Sequence, residues 1–468
     1  MTFPRPKDPD AGLRAAVTEA RKQKKPVEVL SSATENSESW AFPDGHITTD
    51  TYAAPARVKQ SGGSWSWIDN SLVERDGVLR PRISGAKVAV ELSAGGQDHP
   101  FASMRVAEKS QELALIWPES LPRPTISGNV ATYKDAAATP GADLVVTALT
   151  SGFRFDVVLR ERPKAPLKFR LPVQAKGLSL GTGADGGLAL TDAGGKKVTA
   201  GSPPVMWDGG ARGGERGSRR TSVDTAVDGG EGRQTLVLTP DARFLADPAT
   251  RFPVTVDPTI TLGVRADTWV ENSAVYRDSQ YLDTQLWAGG YTDPFSGPYL
   301  IDRSFLMFDT SAVSGRAVQS ASLALTQNFA TGCGDGLSGI KAQRITAAWD
   351  EWTLTWHTQP ATTTAGEGVA RDSARCGTRQ TTTWPMTGIV RAWADGAANH
   401  GIMLSGVDES ASRPDYSRIF DSAEAGGPGI PKLTVSYTLP QKSPPSQQVW
   451  RLHPSGRGLP GEEGDRRR

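Results

Sequence analysis

The sequence is poor in the groups that most enzymes and metal sites use. Among 468 residues it has five histidines and two cysteines, and no two histidines stand at the spacing of metal ligands. The motifs of a nucleophile elbow, a phosphate-binding loop and a dinucleotide-binding turn are all missing from the sequence. Asp350 and Glu351 are adjacent, but neighbouring carboxylates on a strand point to opposite faces and cannot flank one bond. We therefore expect no catalytic centre.

A strong net charge and long apolar runs are missing as well. The formal net charge is +1 at pH 7, so no global field attracts nucleic acid. Basic residues exceed acidic ones in residues 1–26 and 441–468, where solvated tails are the simpler explanation. No apolar run approaches the roughly 18 residues of a membrane helix, and the N-terminal residues lack the apolar stretch of a secretory signal. These observations predict neither a nucleic-acid partner nor a membrane span.

The two cysteines, Cys333 and Cys376, lie in polar, glycine-rich segments. Two cysteines alone cannot complete a tetrahedral zinc site, and no histidine is close to either in sequence. They are either two reduced thiols or one disulfide, which would close a 43-residue interval and stabilise the fold by roughly 4 kcal/mol. We favour the disulfide, and with it an oxidising compartment, although no signal sequence is visible.

Turn-forming and strand-forming residues dominate what is present. The 50 glycines and 33 prolines, together with many threonines and valines, indicate an all-β protein with frequent turns. Turn signals recur about every ten residues, which is typical of sandwiches and stacked sheets. The pattern predicts a basic tail with a short helix (1–26), a β-rich N-terminal domain (27–258) with a flexible glycine-rich loop (208–233), a jelly-roll β-sandwich (259–439) and a disordered tail (440–468).

Three tryptophans, Trp349, Trp352 and Trp356, fall within eight residues. Indole faces stack on sugars, but indoles are also the largest groups available to fill a core. Helical spacing would place all three on one face. The neighbouring threonines favour a strand instead, in which Trp352, Leu354 and Trp356 point the same way. We predict a strand.

A second aromatic group lies in residues 289–300, where Tyr291, Phe295 and Tyr299 stand among turn residues. Rings on a loop between strands offer a platform for a carbohydrate. Alternatively, one or two of these rings tuck under the loop and cap the sandwich. The platform interpretation predicts a polysaccharide or a cell-surface glycan as the partner.

Oxygen ligands for a structural calcium ion are also present in this part of the chain. No loop has the ligand spacing of a calcium motif, so this possibility stays open rather than predicted. No other cofactor is expected. The candidate calcium ligands are Asp267, Asp278, Asp283 and Asp293.

Several short motifs follow one another in a fixed order in the second half of the chain. They are ADTWV at 266–270, RSFLMFD at 303–309, a W-x-E segment leading into LTW and a proline at 349–360, a helix at 387–393 and PKLTV at 431–435. Over residues 259–438 these motifs resemble the DNRLRE domain, which is similar to the family-96 carbohydrate-binding modules. The resemblance implies a jelly-roll fold and a role in the fold signature for Arg303, Phe308, Asp309, Trp349, Glu351 and Trp356.

The same resemblance refines two earlier points and marks one departure. If Trp349 and Trp356 belong to the fold signature, Trp352 is the indole left as a candidate ligand contact beside the 289–300 loop. Actinobacterial members often carry a cysteine pair placed like the pair in this chain, which supports the disulfide. Met307 stands where a basic residue is common in the family, so no ligand contact of that kind is expected here.

Residues 27–258 resemble the region that precedes this domain in large secreted actinobacterial proteins with Rhs or YD repeats, through PVEVLS, DGVLRP and FLADPATRFPVTVDP. Those proteins usually continue into repeats and often end in a toxin. The two resemblances imply a non-catalytic, extracellular module that attaches to polysaccharide or cell wall. The alternative is a structural N-terminal segment of a secreted Rhs-type or adhesin-like protein, shortened by truncation and without a ligand of its own.

Overall fold

The structure is a computed structural model. It describes residues 8, 10–97, 99–106, 109–136, 141–183, 186–200, 203–209, 218–230, 233–257, 259–261, 267–273, 284–292, 297–332, 339–351, 353–371, 379–410, 415–425 and 427–440. Strands far outnumber helices in these residues, and the paired strands are antiparallel, so the predicted all-β class is confirmed. Within the described ranges, no helix is both long enough and apolar enough to cross a membrane.

The predicted N-terminal helix is present, but it is packed rather than solvated. Helix α1 (Ala11–Gln23) ends where Lys24 adopts a left-handed backbone with φ of 54°. Leu13, Val17 and Ala20 follow one another at spacings of four and three, so they lie on one face of the helix. All three are buried in the same apolar cluster as the C-terminal strands. The helix is therefore part of the fold and not a tail.

Polar contacts fix the beginning of α1 beside the far end of the chain. The Arg14 guanidinium donates to the Pro440 carbonyl oxygen at 2.8 Å. Arg316 donates to Oδ1 of Asp10 at 2.7 Å, and both side chains are largely buried. The point where the polypeptide enters this fold therefore lies next to the point where it leaves.

The first strands of the predicted N-terminal domain, in residues 27–52, belong to the sheet of the C-terminal strands and not to the sheets of the rest of that domain. The last of these three strands lies antiparallel to Lys432–Thr438, from His46 opposite Thr438 to Tyr52 opposite Lys432. A sequence pattern shows that a segment is a strand but not which distant strand it joins, so the boundary predicted at residue 27 differs from the observed pairing. These strands are β1 (Val27–Glu28), β2 (Ser37–Ala41) and β3 (His46–Tyr52).

Residues 69–261 form two packed eight-stranded sheets, which we call the middle sandwich. A hairpin precedes these sheets in the sequence. The same stretch of residues also contains a three-stranded sheet and the short helix α2 (Ala242–Ala246). The hairpin is β4 (Arg57–Lys59) and β5 (Trp65–Trp67), and the later strands are β6 (Asp69–Arg75), β7 (Val78–Ile83), β8 (Val88–Ser93), β9 (Ala102–Val106), β10 (Gln111–Leu115), β11 (Thr125–Ser127), β12 (Val130–Tyr133), β13 (Ala142–Leu149), β14 (Gly152–Leu159), β15 (Phe169–Lys176), β16 (Leu178–Thr182), β17 (Leu188–Asp192), β18 (Lys197–Ala200), β19 (Val205–Trp207), β20 (Arg220–Ser222), β21 (Asp224–Asp228), β22 (Gln234–Thr239), β23 (Val254–Asp257) and β24 (Thr259–Thr261). One sheet has the order β21-β22-β15-β10-β9-β8-β7-β6, and the other has the order β11-β12-β13-β14-β23-β19-β20 with β24 beside β14.

The core of the middle sandwich is apolar and is supplied by both sheets. In β13 every second residue is buried, including Leu144 and Val146, as expected for a strand with one face in a core. Phe153 and Phe155 of β14 face the same core, where Phe101 meets them edge-on with ring centroids 6.5 and 5.1 Å away. Burying one such ring contributes about 1.5–3 kcal/mol.

The predicted flexible loop, 208–233, is ordered wherever the structure describes it. Strands β20 and β21 lie within it, so the prediction is wrong for residues 218–230. Asp208 anchors the segment because its buried carboxylate accepts the Arg219 amide at 3.0 Å and the Arg251 amide at 3.1 Å. Residues 210–217 and 231–232 lie outside the described residues.

The remaining strands form a thirteen-stranded sheet with β1–β3, which we call the C-terminal sheet. Its strands are β25 (Asp267–Glu271), β26 (Gln285–Thr292), β27 (Tyr299–Leu306), β28 (Ala317–Ala330), β29 (Ile340–Ile345), β30 (Thr362–Ala370), β31 (Gln380–Pro385), β32 (Ile402–Gly406), β33 (Tyr416–Asp421) and β34 (Lys432–Thr438). The order is β1-β2-β3-β34-β28-β33-β26-β27-β32-β29-β30, with β25 beside β27 and β31 beside β28. Helix α3 (Thr387–Ala394) agrees with the predicted helix to within a residue at its end.

The C-terminal sheet closes over one main apolar core. Leu433 of β34 and Ile340 of β29 are far apart in the strand order, yet they belong to the same buried cluster, so the sheet curves back on itself. Trp269 and Trp287 stack in this core with centroids 4.4 Å apart, and Trp384 donates from Nε1 to the Ile340 carbonyl at 2.7 Å. Phe305 and Met403 adjoin residues of this core in sequence but belong to a second, smaller apolar cluster on the other face of their strands.

Candidate functional site

The tryptophan stretch forms a loop between β29 and β30, not the predicted strand. The Leu354 amide donates to the Asp350 carbonyl at 3.0 Å, and the Thr358 amide donates to the Thr355 carbonyl at 3.1 Å. The strand prediction is wrong because these successive turns bend the backbone away from an extended course. Trp352, the candidate ligand contact, lies outside the described residues.

Trp349 and Trp356 pack against the side of β27 and β32 that faces away from the main core. Trp349 donates from Nε1 to the His400 carbonyl at 2.8 Å, and its ring centroid lies 5.6 Å from that of Phe305. Both indoles are partly buried against a small apolar cluster that also contains Met403. Two of the three tryptophans therefore hold the loop on the sheet, and part of each ring stays accessible to solvent.

A group of fixed polar side chains adjoins Trp356, and we call Arg303, Trp356, Gln359 and Glu409 the Arg303 cluster. The Arg303 guanidinium carbon lies 4.8 Å from the Trp356 ring centroid. Its Nη1 donates to Gln359 Oε1 at 3.0 Å, and its Nε donates to Glu409 Oε2 at 3.1 Å. Glu409 also accepts the Gly406 amide at 3.2 Å, and Gln359 donates to the Trp356 carbonyl at 2.8 Å. The cluster thus presents a ring, a cation, a carboxylate and an amide in one preorganised arrangement.

Tyr299 lies half-buried near this cluster, in an acidic environment. A Cβ at Gly290 would lie 2.3 Å from the Tyr299 hydroxyl oxygen, so glycine is required for the ring to cover β26 there. Burial, followed by the charges of Asp415 and Glu409, raises the pKa of Tyr299. The Thr292 amide donates to Asp415 at 2.7 Å and fixes that carboxylate. Of the three aromatic residues predicted on the 289–300 loop, Tyr299 is the described one that is partly accessible.

Tyr291 is buried, which corrects its predicted place on an exposed platform. It is 5% exposed, and its hydroxyl donates to Glu271 Oε2 at 3.0 Å and accepts from Arg220 Nη2 at 3.0 Å. Arg220 also forms an ion pair with Glu271. The prediction is wrong because Arg220, on a strand of the middle sandwich, covers this part of β26. Phe295 lies outside the described residues.

The other residues of the predicted fold signature are involved in packing and local hydrogen bonds. Phe308 is buried in the main core, and Glu351 is buried as well. Asp309 accepts the Ser311 amide at 2.9 Å at the start of a short 3-10 turn. None of these three side chains reaches the Arg303 cluster. Their predicted role in the fold therefore stays a prediction.

The predicted disulfide stays a prediction, and the possibility of a calcium site stays open. Asp267 is buried, and its Oδ2 accepts the Ala423 amide at 2.9 Å. In the part of the chain that the structure describes, no three histidine, cysteine, aspartate or glutamate side chains are grouped as metal ligands. The other residues named for the disulfide and the calcium ion lie outside the described residues: Cys333, Cys376, Asp278, Asp283 and Asp293.

The sequence analysis missed a cleft that lies between the N-terminal hairpin β4–β5 and the C-terminal sheet. It has a volume of about 570 Å³ and is lined by residues of β3, β28, β31 and β34 together with Trp67 and Ile68. Trp67 is 49% exposed, which is unusual for an indole. The signal was present as Trp65-Ser66-Trp67 after a glycine turn, but nothing in the sequence indicates which sheet this hairpin approaches.

Comparisons with known proteins bear on both halves of the chain. Residues 258–437 match carbohydrate-binding module family 96, which confirms the expected resemblance of this segment. Over 449 residues, the chain is 24% identical to the tRNA3(Ser)-specific nuclease WapA of Bacillus spizizenii (strain DSM 15029 / JCM 12233 / NBRC 101239 / NRRL B-23049 / TU-B-10). It is 23% identical over the same length to the tRNA nuclease WapA of Bacillus subtilis (strain 168).

These alignments cover 90% of this chain but 18% of each relative. The chain therefore spans less than a fifth of the length of the curated relatives it matches, and their nuclease activity is a property named for the much longer proteins. The resemblance of residues 27–258 to the region before Rhs or YD repeats stays a prediction.

Proposed function

We propose that this chain is a non-catalytic, extracellular carbohydrate-binding segment that attaches to polysaccharide or cell wall through the Arg303 cluster and Tyr299. The observation that carries the proposal is the position of the cluster within residues 258–437, the segment that matches a carbohydrate-binding family. Sugars have apolar ring faces and outward hydroxyls. A partly accessible indole beside a fixed carboxylate, amide and guanidinium complements both features.

The charges near Tyr299 favour an uncharged glycan. Glu409 compensates the charge of Arg303 through hydrogen bonds to two guanidinium nitrogens. Burial raises the pKa of Tyr299, and the charges of Asp415, Glu409 and Asp408 raise it further, so the ring lies in negative surroundings. A polysaccharide with carboxylate or sulfate groups would be repelled here, because like charges brought together at an interface cost binding free energy.

Affinity electrophoresis of the full chain tests this proposal. Native gels would contain xyloglucan, galactomannan or mixed-linkage β-glucan as neutral polymers and polygalacturonate as an acidic one. We expect retardation by at least one neutral polymer and none by polygalacturonate. Tyr299→Ala should weaken binding about fivefold, because an aromatic contact contributes about 0.5–1.5 kcal/mol beyond the area it buries.

The matched control is Trp40→Ala, which removes an exposed indole from β2, outside the Arg303 cluster. It should leave retardation unchanged. Equal losses in the two variants would mean that exposed aromatic residues contribute non-specifically, and the Arg303 cluster would no longer be the site.

A second candidate function is a structural segment of a larger protein, with no ligand of its own. The observation that favours it is the alignment, in which most of this chain corresponds to a small share of the relatives' length. In that case no polymer, including insoluble peptidoglycan in a pull-down, should retain the chain. Retention by any of these polymers at micromolar affinity would argue against a purely structural role.

Two further parts of the proposal have their own tests. The names of the relatives make tRNA the relevant nucleic acid, and we expect the chain neither to cleave it nor to shift it in a gel at physiological salt. An extracellular location predicts a Cys333–Cys376 disulfide in the exported protein. A thiol assay that finds two reactive thiols there would contradict it.

A further inference from the structure

The cleft beside Trp67 is built from two parts of the chain that are distant in sequence. One wall comes from the N-terminal part, with Tyr52 at the end of β3 and Trp67 at the end of the β4–β5 hairpin. The other wall comes from the C-terminal sheet, with Thr326 of β28, Thr381 of β31 and Lys432 of β34. The cleft exists only because β3 pairs with β34. Its volume of about 570 Å³ is within the range of roughly 300–1,000 Å³ that is usual for ligand pockets.

Trp67 is exposed and yet held in place. Its ring meets that of Tyr52 edge-on, with centroids 5.5 Å apart, and the Arg57 guanidinium carbon lies 5.9 Å from its centroid. Arg57 is itself buried and immobilised, because it donates to Glu38 at 2.9 Å and to the Ser37 carbonyl at 2.9 Å. An aromatic ring fixed in advance loses little conformational freedom when a ligand stacks on it, so this arrangement favours binding.

The polar groups of the cleft are hydroxyls and a compensated cation. Thr326 and Thr381 lie directly opposite each other in the β28–β31 pair, which places two hydroxyl-bearing residues on adjacent strands. The Lys432 ammonium donates to Asp50 at 2.9 Å, and Thr434 donates to the other oxygen of that carboxylate at 2.6 Å. The charge of the Lys432 ammonium is therefore compensated by the Asp50 carboxylate. The described lining residues offer an indole, hydroxyls and a paired cation, which suit a neutral polyhydroxylated ligand.

We propose that the Trp67 cleft is a second glycan-binding site, which takes a short stretch of neutral polysaccharide against the Trp67 ring. This proposal shares its ligand class with the proposed function but uses none of the same residues. It makes Tyr52, Trp67 and Ile68 part of the binding surface, so the segment matched by the carbohydrate-binding family holds only one wall of this site. Two sites on one chain also raise the apparent affinity for a polymer, since the second contact becomes intramolecular.

The test uses the full chain in the same gels, with neutral polymers as the probes. Trp67→Ala should weaken retardation about fivefold to tenfold, and Trp67→Phe, which keeps an aromatic ring, should recover most of that loss. Thr381→Arg offers a second approach from an exposed position, because its long side chain fills the cleft without removing a packed group. Unchanged circular dichroism and melting temperature would show that each variant is folded.

The two sites are distinguished by comparing Trp67→Ala with Tyr299→Ala. A loss in Trp67→Ala and Thr381→Arg, with binding retained in Tyr299→Ala, supports the cleft and overturns the Arg303 cluster as the site. The reverse result supports the Arg303 cluster and overturns the cleft. Failure of every neutral polymer to retard the wild-type chain overturns both, and losses in all three variants support both.

Discussion

The middle sandwich and the C-terminal sheet bury different kinds of side chain. The core of the middle sandwich is made of rings and aliphatic groups. Asp208 is the least exposed charged residue among its described residues, and Arg154, Asp156 and Asp257 form one largely buried ion-pair group there. The described residues of the C-terminal sheet bury seven charged residues: Asp267, Glu271, Asp302, Glu351, Arg418, Asp421 and Glu424. Because a buried charge is costly unless it is paired, these groups mark places where a particular geometry is held rather than places where bulk stability is gained.

The difference indicates that the two regions have different roles in the fold. An apolar core needs shape and volume, and it tolerates change as long as both are kept. Buried ionic groups fix register and orientation, as Glu271 does when it joins Arg220 of one region to Tyr291 of the other. The middle sandwich is therefore expected to behave as a support, and the C-terminal sheet as the region whose response to pH and to substitution reflects its sites.

The strongest test of this contrast removes a ring from the apolar core. Phe155 is fully buried, so Phe155→Ala should lower the free energy of unfolding by about 4 kcal/mol, from lost transfer free energy and a residual cavity. Urea unfolding measures this effect. Ile126→Ala, at a position 40% exposed in the same sandwich, should cost less than about 0.5 kcal/mol. If both variants lose the same amount, the sandwich is not packed as described.

The ion pair between Arg220 of the middle sandwich and Glu271 of the C-terminal sheet should show the next largest effect on the free energy of unfolding. Arg220→Met removes the guanidinium that pairs with the buried Glu271 carboxylate, which should cost about 3 kcal/mol. Adding Glu271→Gln should recover much of that loss, because the amide carries no charge that needs this pairing. A double-mutant cycle in urea measures the coupling. Purely additive losses would show that the two side chains do not depend on each other.

A smaller effect is expected in the pH dependence of stability. Burial, followed by the neighbouring charge of Asp267, raises the pKa of Glu424 well above its ordinary value of 4.5. A raised pKa in the folded state means that the stabilisation is complete below that ordinary value and is lost as the pH rises through the folded-state pKa. The melting temperature of the wild type should therefore fall as the pH rises from 4.5 to the folded-state pKa of Glu424.

Glu424→Gln should melt with a flatter dependence on pH, since the amide cannot ionise. Melting temperatures between pH 4 and pH 8 would be compared for the two proteins. Parallel curves for wild type and variant would show that another group governs the dependence. The first to consider are Asp267 and Glu351, whose charges both act to raise the pKa of Glu424.

The smallest effect is expected at the surface of the middle sandwich. Arg170 and Asp228 form an ion pair at 2.9 Å, but each side chain is about half exposed. Arg170→Ala should change the free energy of unfolding by about 0.3 kcal/mol, because solvent screens such pairs. A change above about 1 kcal/mol in urea unfolding would mean that charges matter for stability in this sandwich too, and the contrast with the C-terminal sheet would weaken.

Local patterns predicted the kinds of element better than their partners. The all-β class and the helix near residue 387 were both predicted, because turn signals, strand-forming residues and helix-end signals are contained in a few neighbouring residues. The pairing of β3 with β34 joins the two ends of the chain, and no local signal specifies it. The Trp67 cleft was missed for the same reason, since its two walls meet only through that pairing.

The candidate site was predicted in part, and each error has a physical cause. Tyr299 is partly accessible, as predicted for a ring on this loop, and its ligand contact stays a prediction. Tyr291 was misplaced because a strand of another region covers it. The tryptophan stretch has strand-forming residues, but the Asp350 carbonyl closes a turn over it. Arg303 was assigned to the fold signature, and its stacking on Trp356 beside Glu409 depends on two loops that sequence patterns do not place.

The contact between Arg14 and Pro440 has a mechanical consequence. The polypeptide enters and leaves residues 10–440 at neighbouring points, so a longer chain that carried them would hold them as a side branch. Tension along such a chain would pass between those two points and spare both the Arg303 cluster and the Trp67 cleft. Binding to a cell wall or a polymer through these two sites would then persist under tension. It would be lost once the hydrogen bonds between His46–Tyr52 and Lys432–Thr438 broke.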